Sequence, residues 1–140
     1  MSSTPAPVSL ERSLQMARVR SKDTKPEMAV RRLVHRLGYR YRLHRRDLPG
    51  SPDLVFPGRR KVILVHGCFW HRHPDPTCKR ARMPKTRVEF WVPKLEANAE
   101  RDARTLQALE ALGWEALTLW ECEIESNRDL EQRIIRFLES

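Results

Sequence analysis

Residues 61–78 read KVILVHGCFWHRHPDPTC, an apolar strand that ends abruptly in histidine, cysteine and aromatic residues. A run such as Val62, Ile63, Leu64 and Val65 must be covered on both faces, so the fold has to place a buried strand at its centre. No ordinary core requires His66, Cys68, Phe69, Trp70, His71, His73 and Cys78 to follow it so closely. Their composition is that of an active site, with metal chemistry beside a large aromatic wedge.

The flanking sequence supplies a frame for that strand. Thr24-Lys25-Pro26-Glu27 has capping-box spacing, and Val30, Leu33, Val34 and Leu37 recur at helical spacing before Gly38. Tyr39, Tyr41 and Leu43 alternate with arginines as a half-buried strand does, and LPGSP turns the chain into a second strand at 53–56. Pro57-Gly58-Arg59-Arg60 turns it again into 61–65. The segment 66–92 lacks a sustained period and reads as a long functional loop. From about Pro93, the apolar positions Leu95, Ala99, Ala103, Leu106 and Leu109 mark a long helix ending at Gly113. A strand buried on both faces is expected at 114–120. A last helix follows, started by Ser126 with Asp129, with the stripe Leu130, Ile134, Phe137 and Leu138. Three strands joined by tight turns form a meander, and a strand reached through a helical crossover joins it in parallel. The expected class is α/β, a mixed central sheet flanked by helices.

A chain of 140 residues supports one domain. Its 27 Lys+Arg against 18 Asp+Glu give a net charge of +9, clustered at 18–25, 40–46 and 79–87. Such an excess favours a polyanionic partner, since each phosphate neutralised releases counterions; the alternative is a soluble basic protein with solvated charges. No apolar run approaches the roughly 20 residues of a membrane span and the N-terminus lacks a signal-peptide stretch, so a cytoplasmic protein is expected. Residues 1–11 read as a disordered tail, and a basic arm at 12–23 as a segment ordered by a ligand. In a reducing compartment, Cys68, Cys78 and Cys122 are metal ligands or simply buried thiols.

Asp53 at a strand start and His66 at the end of the next strand are brought near one end of the sheet. Asp53 suits magnesium as a hard oxygen ligand, and His71 is placed to take a proton from attacking water. The bland alternative is an aspartate that merely begins a strand and a surface histidine. Cys68, His73, Cys78 and Cys122 offer the four N/S ligands of a structural zinc, although their spacing matches no common finger. Phe69, Trp70 and Trp91, flanked by Arg72, Lys79, Arg80, Arg82, Lys85 and Arg87, either wedge between base pairs or cap the core under the loop.

LPGSPDLVF, VHGCFWH, TRVEFWVPKLEANAERD and the LGW…WEC close of the last strand carry a resemblance to the very short patch repair (Vsr) mismatch endonucleases, over about residues 12–123. The resemblance implies a restriction-endonuclease-like fold of the PD-(D/E)xK type, here without its Glu-x-Lys pair, and a zinc-stapled loop. It implies magnesium-dependent nicking of one strand of double-stranded DNA beside a T:G mismatch. Magnesium would be held by Asp53 and the backbone carbonyl of Val65, with His71 activating water and His66 supporting the phosphate and its leaving group. Glu27 would order metal-bound water, unless it serves only as the helix cap. Zinc would be held by Cys68, His73, Cys78 and Cys122, although PDPT lengthens the approach to Cys78 and makes its ligation less secure than that of Cys68. Phe69, Trp70 and Trp91 would intercalate, Met16 would wedge from the opposite groove, and Lys94 and Asn98 would face the mismatch. A MutL-type repair protein is a possible partner of a monomeric, nucleoid-associated enzyme. The competing reading is a zinc-stapled DNA-binding module with no chemistry.

Overall fold

A computed structural model describes residues 24–127 and 129–140. The expected tail, the arm at 12–23 and Met16 lie outside the described residues. The first helix, α1 (Lys25–Arg36), begins where expected, with Thr24 Oγ1 accepting from the Glu27 amide at 3.3 Å, and Val30 and Val34 fully buried. Three strands follow, β1 (Arg42–Leu43), β2 (Leu54–Phe56) and β3 (Lys61–His66), and then α2 (Val88–Ala111), β4 (Glu115–Trp120), α3 (Glu121–Ser126) and α4 (Leu130–Glu139).

The sheet order is β1-β2-β3-β4. The first two pairings are antiparallel, while β3 and β4 run parallel in register from Lys61↔Glu115 to His66↔Trp120. Because successive strand residues point to opposite faces, Leu54, Phe56, Ile63 and Leu119 pack with α1, α3 and α4, whereas Val55 and Val62 pack with Leu48, Leu109 and Trp114. Lys61 is 3 % exposed, and its ammonium donates to the carbonyl oxygens of Phe137 and Ser140 at 2.6 and 2.9 Å and to Ser140 Oγ at 2.8 Å. All three donors are satisfied at the negative end of the α4 dipole.

Several expectations need correction. The first strand shrinks to two residues, and Asp53 precedes β2 rather than opening it. The long helix starts at Val88, not Pro93, and runs through Pro93 at the cost of one backbone hydrogen bond, so Trp91 stands in its first turn and not on a loop. Of its expected apolar stripe, Leu95 and Leu109 are buried but Leu106 is 40 % exposed. Asn98, Asp102 and Thr105 occupy the face between the buried leucines and line a cavity. Strand β4 is only half covered, because it is the sheet edge. Helix α3 was not expected; Glu123 Oε1 accepts from the Trp120 amide at 3.1 Å and starts it. Ser126 therefore closes α3, and α4 begins at Leu130 after Asp129. Among the described residues no helix is long and apolar enough to cross a membrane.

Lys61→Met should lower unfolding free energy by about 1–3 kcal/mol, because buried carbonyls lose a charged donor. Urea denaturation reads this loss, and DNA cleavage per folded molecule should be unchanged.

Candidate active site and metal centre

The C-terminal end of β3 carries the chemistry. Asp53 enters from just before the neighbouring strand β2, and its Oδ2 accepts from the Val65 amide at 2.7 Å, which fixes the carboxylate at this end of β3. After Gly67 the chain winds back on itself, with His71 N donating to Gly67 O at 3.1 Å and His73 N to Cys68 O at 2.9 Å. This winding stacks the His71 ring on His66, with centroids 3.9 Å apart and planes within 5°. His71 Nδ1 lies 2.6 Å from Asp102 Oδ2 on α2.

Asp53, Val65, His66, His71, Arg101 and Asp102 thus surround one cavity of about 320 Å³. Its far wall is the LPGS turn. Gly50 has φ +74°, and a Cβ there would fall 2.4 Å from Thr105 Cγ2, so only glycine lets the turn approach α2 this closely. Sequence reasoning missed Asp102 and Arg101. The signal was present as a polar stripe at 98, 102 and 105, spaced like the buried face of the helix.

Burial pushes the Asp53 carboxyl up to about 6 from its ordinary 3.8, with Glu27 adding to the rise and the Val65 amide, His44 and His71 opposing it. A buried carboxylate that resists ionisation, aimed into a polar cavity, is a donor that a divalent cation would compensate. Glu27 is 1 % exposed, and its Oε2 lies 2.8 Å from His44 Nε2 and 3.5 Å from Arg31. Ligand atoms of Glu27, His44 and Asp53 fall within 4.8 Å of one another. Glu27 therefore faces Asp53 while its own amide is capped by Thr24.

On the other side of the Gly67 turn, the ligand atoms of Cys68, His73, Cys78 and Cys122 also lie within 4.8 Å of one another. A tetrahedral zinc with Zn–S bonds of about 2.3 Å requires S···S edges of about 3.8 Å and S···N edges of about 3.5 Å. Cys78 Sγ is 3.9 Å from Cys122 Sγ, and Cys122 Sγ is 3.5 Å from His73 Nδ1. The set fits. The PDPT insertion does not remove Cys78, because Asp75 accepts from the Thr77 amide at 2.9 Å and from the Cys78 amide at 3.0 Å, turning the chain back. Burial pushes the Cys68 and Cys122 thiols up, as expected for ligands whose charge awaits a cation.

Phe69, Trp70 and Trp91 form one cluster with centroids 5.2–5.7 Å apart. Trp70 is 7 % exposed, so in the free protein it is the buried member, while Phe69 and Trp91 are half-buried. Asn98 Nδ2 donates to Trp70 O at 3.0 Å, and Asn98 Oδ1 accepts from Arg101 at 3.1 Å. Lys94 stands over the exposed Phe90 ring, 5.8 Å from its centroid.

A carboxyl raised by burial favours the folded state when protonated. That stability is present below about pH 4 and is lost as pH rises through about 6. In magnesium-free buffer, Asp53→Asn should therefore gain up to about 3 kcal/mol over the parent at pH 8 and almost nothing at pH 4. Thermal melts across this range check the sign; a gain confined to low pH would contradict it.

Comparison with known proteins identifies the family and the fold. The family described as DNA mismatch endonuclease Vsr matches residues 8–80. The type II nicking enzyme V.XorIIP of Xanthomonas oryzae pv. oryzae is 52 % identical over 124 residues, covering 89 % of each chain. The DNA mismatch endonuclease Vsr of Escherichia coli is 40 % identical over 119 residues, covering 85 % of this chain and 74 % of that one. In structure, the catalytic domain of the homing endonuclease I-Bth0305I superposes with a TM-score of 0.55 at 20 % identity, covering 82 % of this chain and 94 % of that one. That likeness, with the mixed sheet and flanking helices, places the fold in the restriction-endonuclease-like class. By sequence, the chain belongs to the Vsr family of DNA mismatch endonucleases and is a DNA-cleaving hydrolase.

Proposed function

We propose that this chain nicks one strand of double-stranded DNA beside a T:G mismatch, using magnesium at Asp53 and a structural zinc in the loop after β3. The observation that carries the chemistry is the His71–Asp102 pair, 2.6 Å apart, in the same cavity as Asp53 and His66.

An imidazole that donates its Nδ1 proton to a carboxylate presents Nε2 as an acceptor. His71 thus removes the proton of an attacking water, and Asp102 stabilises the imidazolium that forms. Stacked against it, His66 is placed to donate to the phosphate and to the departing oxygen. Asp53 and the Val65 carbonyl would hold magnesium, with Glu27 orienting its water. The chemistry supplied by the bound ion is neutralisation of charge at the phosphate and acidification of water. Arg101 at the cavity rim contributes a cation for the same phosphate.

The aromatic cluster provides the means of selecting a mismatch. Opening a base step costs a few kcal/mol, least where pairing is already weak, and rings on a basic surface offset that cost. Phe69 on the loop and Trp91 in the first turn of α2 are half-buried and ready to stack, and Trp70 would follow them outward. Lys94 and Asn98 occupy the adjoining face of α2. The proposed zinc holds the loop that carries Phe69 and Trp70, and Arg80 ties that loop to α3 through Glu125 and Glu121.

On T:G and fully paired duplexes with magnesium, the parent should nick only the mismatch. His71→Ala should lose about 10²–10⁴-fold and Asp102→Asn at least about 10-fold, both with duplex affinity retained. Full cleavage by Asp53→Ala would sink the mechanism. Metal analysis of purified protein should find about one zinc per chain, absent from Cys122→Ser; a zinc-free parent with an ordered loop would refute the staple.

A further inference from the structure

His44 is a residue that neither the sequence reading nor the proposed mechanism uses, yet it touches both acidic residues of the site, Glu27 through its ring and Asp53 through its backbone. Its Nε2 lies 2.8 Å from Glu27 Oε2, and its backbone amide donates to the Asp53 carbonyl at 3.3 Å. It does so from the left-handed backbone region, with φ +48°, which histidine, like asparagine and aspartate, enters more readily than most side chains. Its ring on Glu27 and its backbone on Asp53 point to a use for the side chain.

That use follows from the charges. Glu27 and Asp53 present carboxylates within the same 4.8 Å cluster, Glu27 almost wholly buried and Asp53 largely so. Two such groups repel, and the Glu27 oxygen that meets His44 at 2.8 Å also lies 3.5 Å from Arg31, so the two bases share the work of holding it. Hydrogen bonding from a ring anchored through its own backbone to Asp53 sets the distance and direction between the two. We propose that His44 is a positioning residue, holding the Glu27 carboxylate against the Asp53 side of the cavity so that the pair takes up a divalent cation together. The inference rests on the proposed role of Asp53 as a cation ligand.

Two amide variants separate positioning from mere packing. His44→Gln keeps a donor long enough to reach Glu27. His44→Asn is one methylene shorter and tolerates the left-handed backbone, so it should fold but lose the contact from the Asp53 side to Glu27. Mn2+ is titrated into each protein and followed by the free-ion EPR signal, and the magnesium concentration for half-maximal nicking is measured alongside. His44→Asn should weaken Mn2+ binding and raise the magnesium requirement by about 10-fold or more, with duplex affinity unchanged. His44→Gln should lie within about 3-fold of the parent in both. Parent-like Mn2+ binding by His44→Asn, or equal losses in the two variants, would overturn the proposal. A parent that binds Mn2+ but nicks nothing would instead overturn the functional reading and leave the His44 comparison intact.

Discussion

The parallel pairing of β3 with β4 is the constraint on which the rest depends. Six register pairs bring His66 opposite Trp120, so the chain leaves both strands at the same end of the sheet. From one exit comes the loop with Cys68, His71, His73 and Cys78; from the other comes α3 with Cys122. Residues 54 positions apart thereby meet, and the Cys122 amide lies 3.4 Å from Cys68 Sγ. Trp120 stands between the two centres, its ring edge-on to His66 at 5.2 Å and stacked on His73 at 4.3 Å. One side is furnished with oxygen and imidazole donors, the other with thiols. Ligand softness, more than distance, is what would keep two different metals in their own places.

The cleavage side sits in an unfavourable electrostatic position. Strand β3 is covered on both faces, and a carboxylate held against such a strand loses most of its hydration, which is why Asp53 resists ionisation. The surrounding polar contacts limit that cost without removing it: the Val65 amide on Asp53, His44 and Arg31 on Glu27, and Asp102 on His71. A site left short of positive charge is a site prepared for a cation. The same arrangement trades stability of the metal-free fold for affinity toward its ligand.

Much of this was legible in the sequence, because the chemistry sits at the ends of well-marked strands. Asp53, His66 and Cys68 are fixed to within a residue by the turn before β2 and the apolar run of β3. What escaped lay where local pattern and tertiary role diverge. Asp102 was hidden in a helix whose apolar face was assigned through Ala103 and Leu106, one position around the helix from the face that turns inward. His44 reads as one more polar residue in an alternating edge strand, and only the fold shows Glu27 behind it. Six mostly polar residues, ECEIES, carry no helical period, so α3 depends on the Glu123 cap rather than on amphipathicity. Proline at 93 signalled a helix start, whereas the helix tolerates it and begins a turn earlier, carrying Trp91 with it.

If the end of β3 serves two metals with separate roles, as proposed, each ion must occupy its own set of donors. Anomalous diffraction from a crystal grown with Mn2+ and collected at the zinc and manganese edges tests it most directly. A zinc peak enclosed by Cys68, His73, Cys78 and Cys122, and a separate manganese peak at the Asp53 carboxylate, are expected. A zinc peak among Asp53, His66 and His71, or a manganese peak among the cysteines, would contradict it.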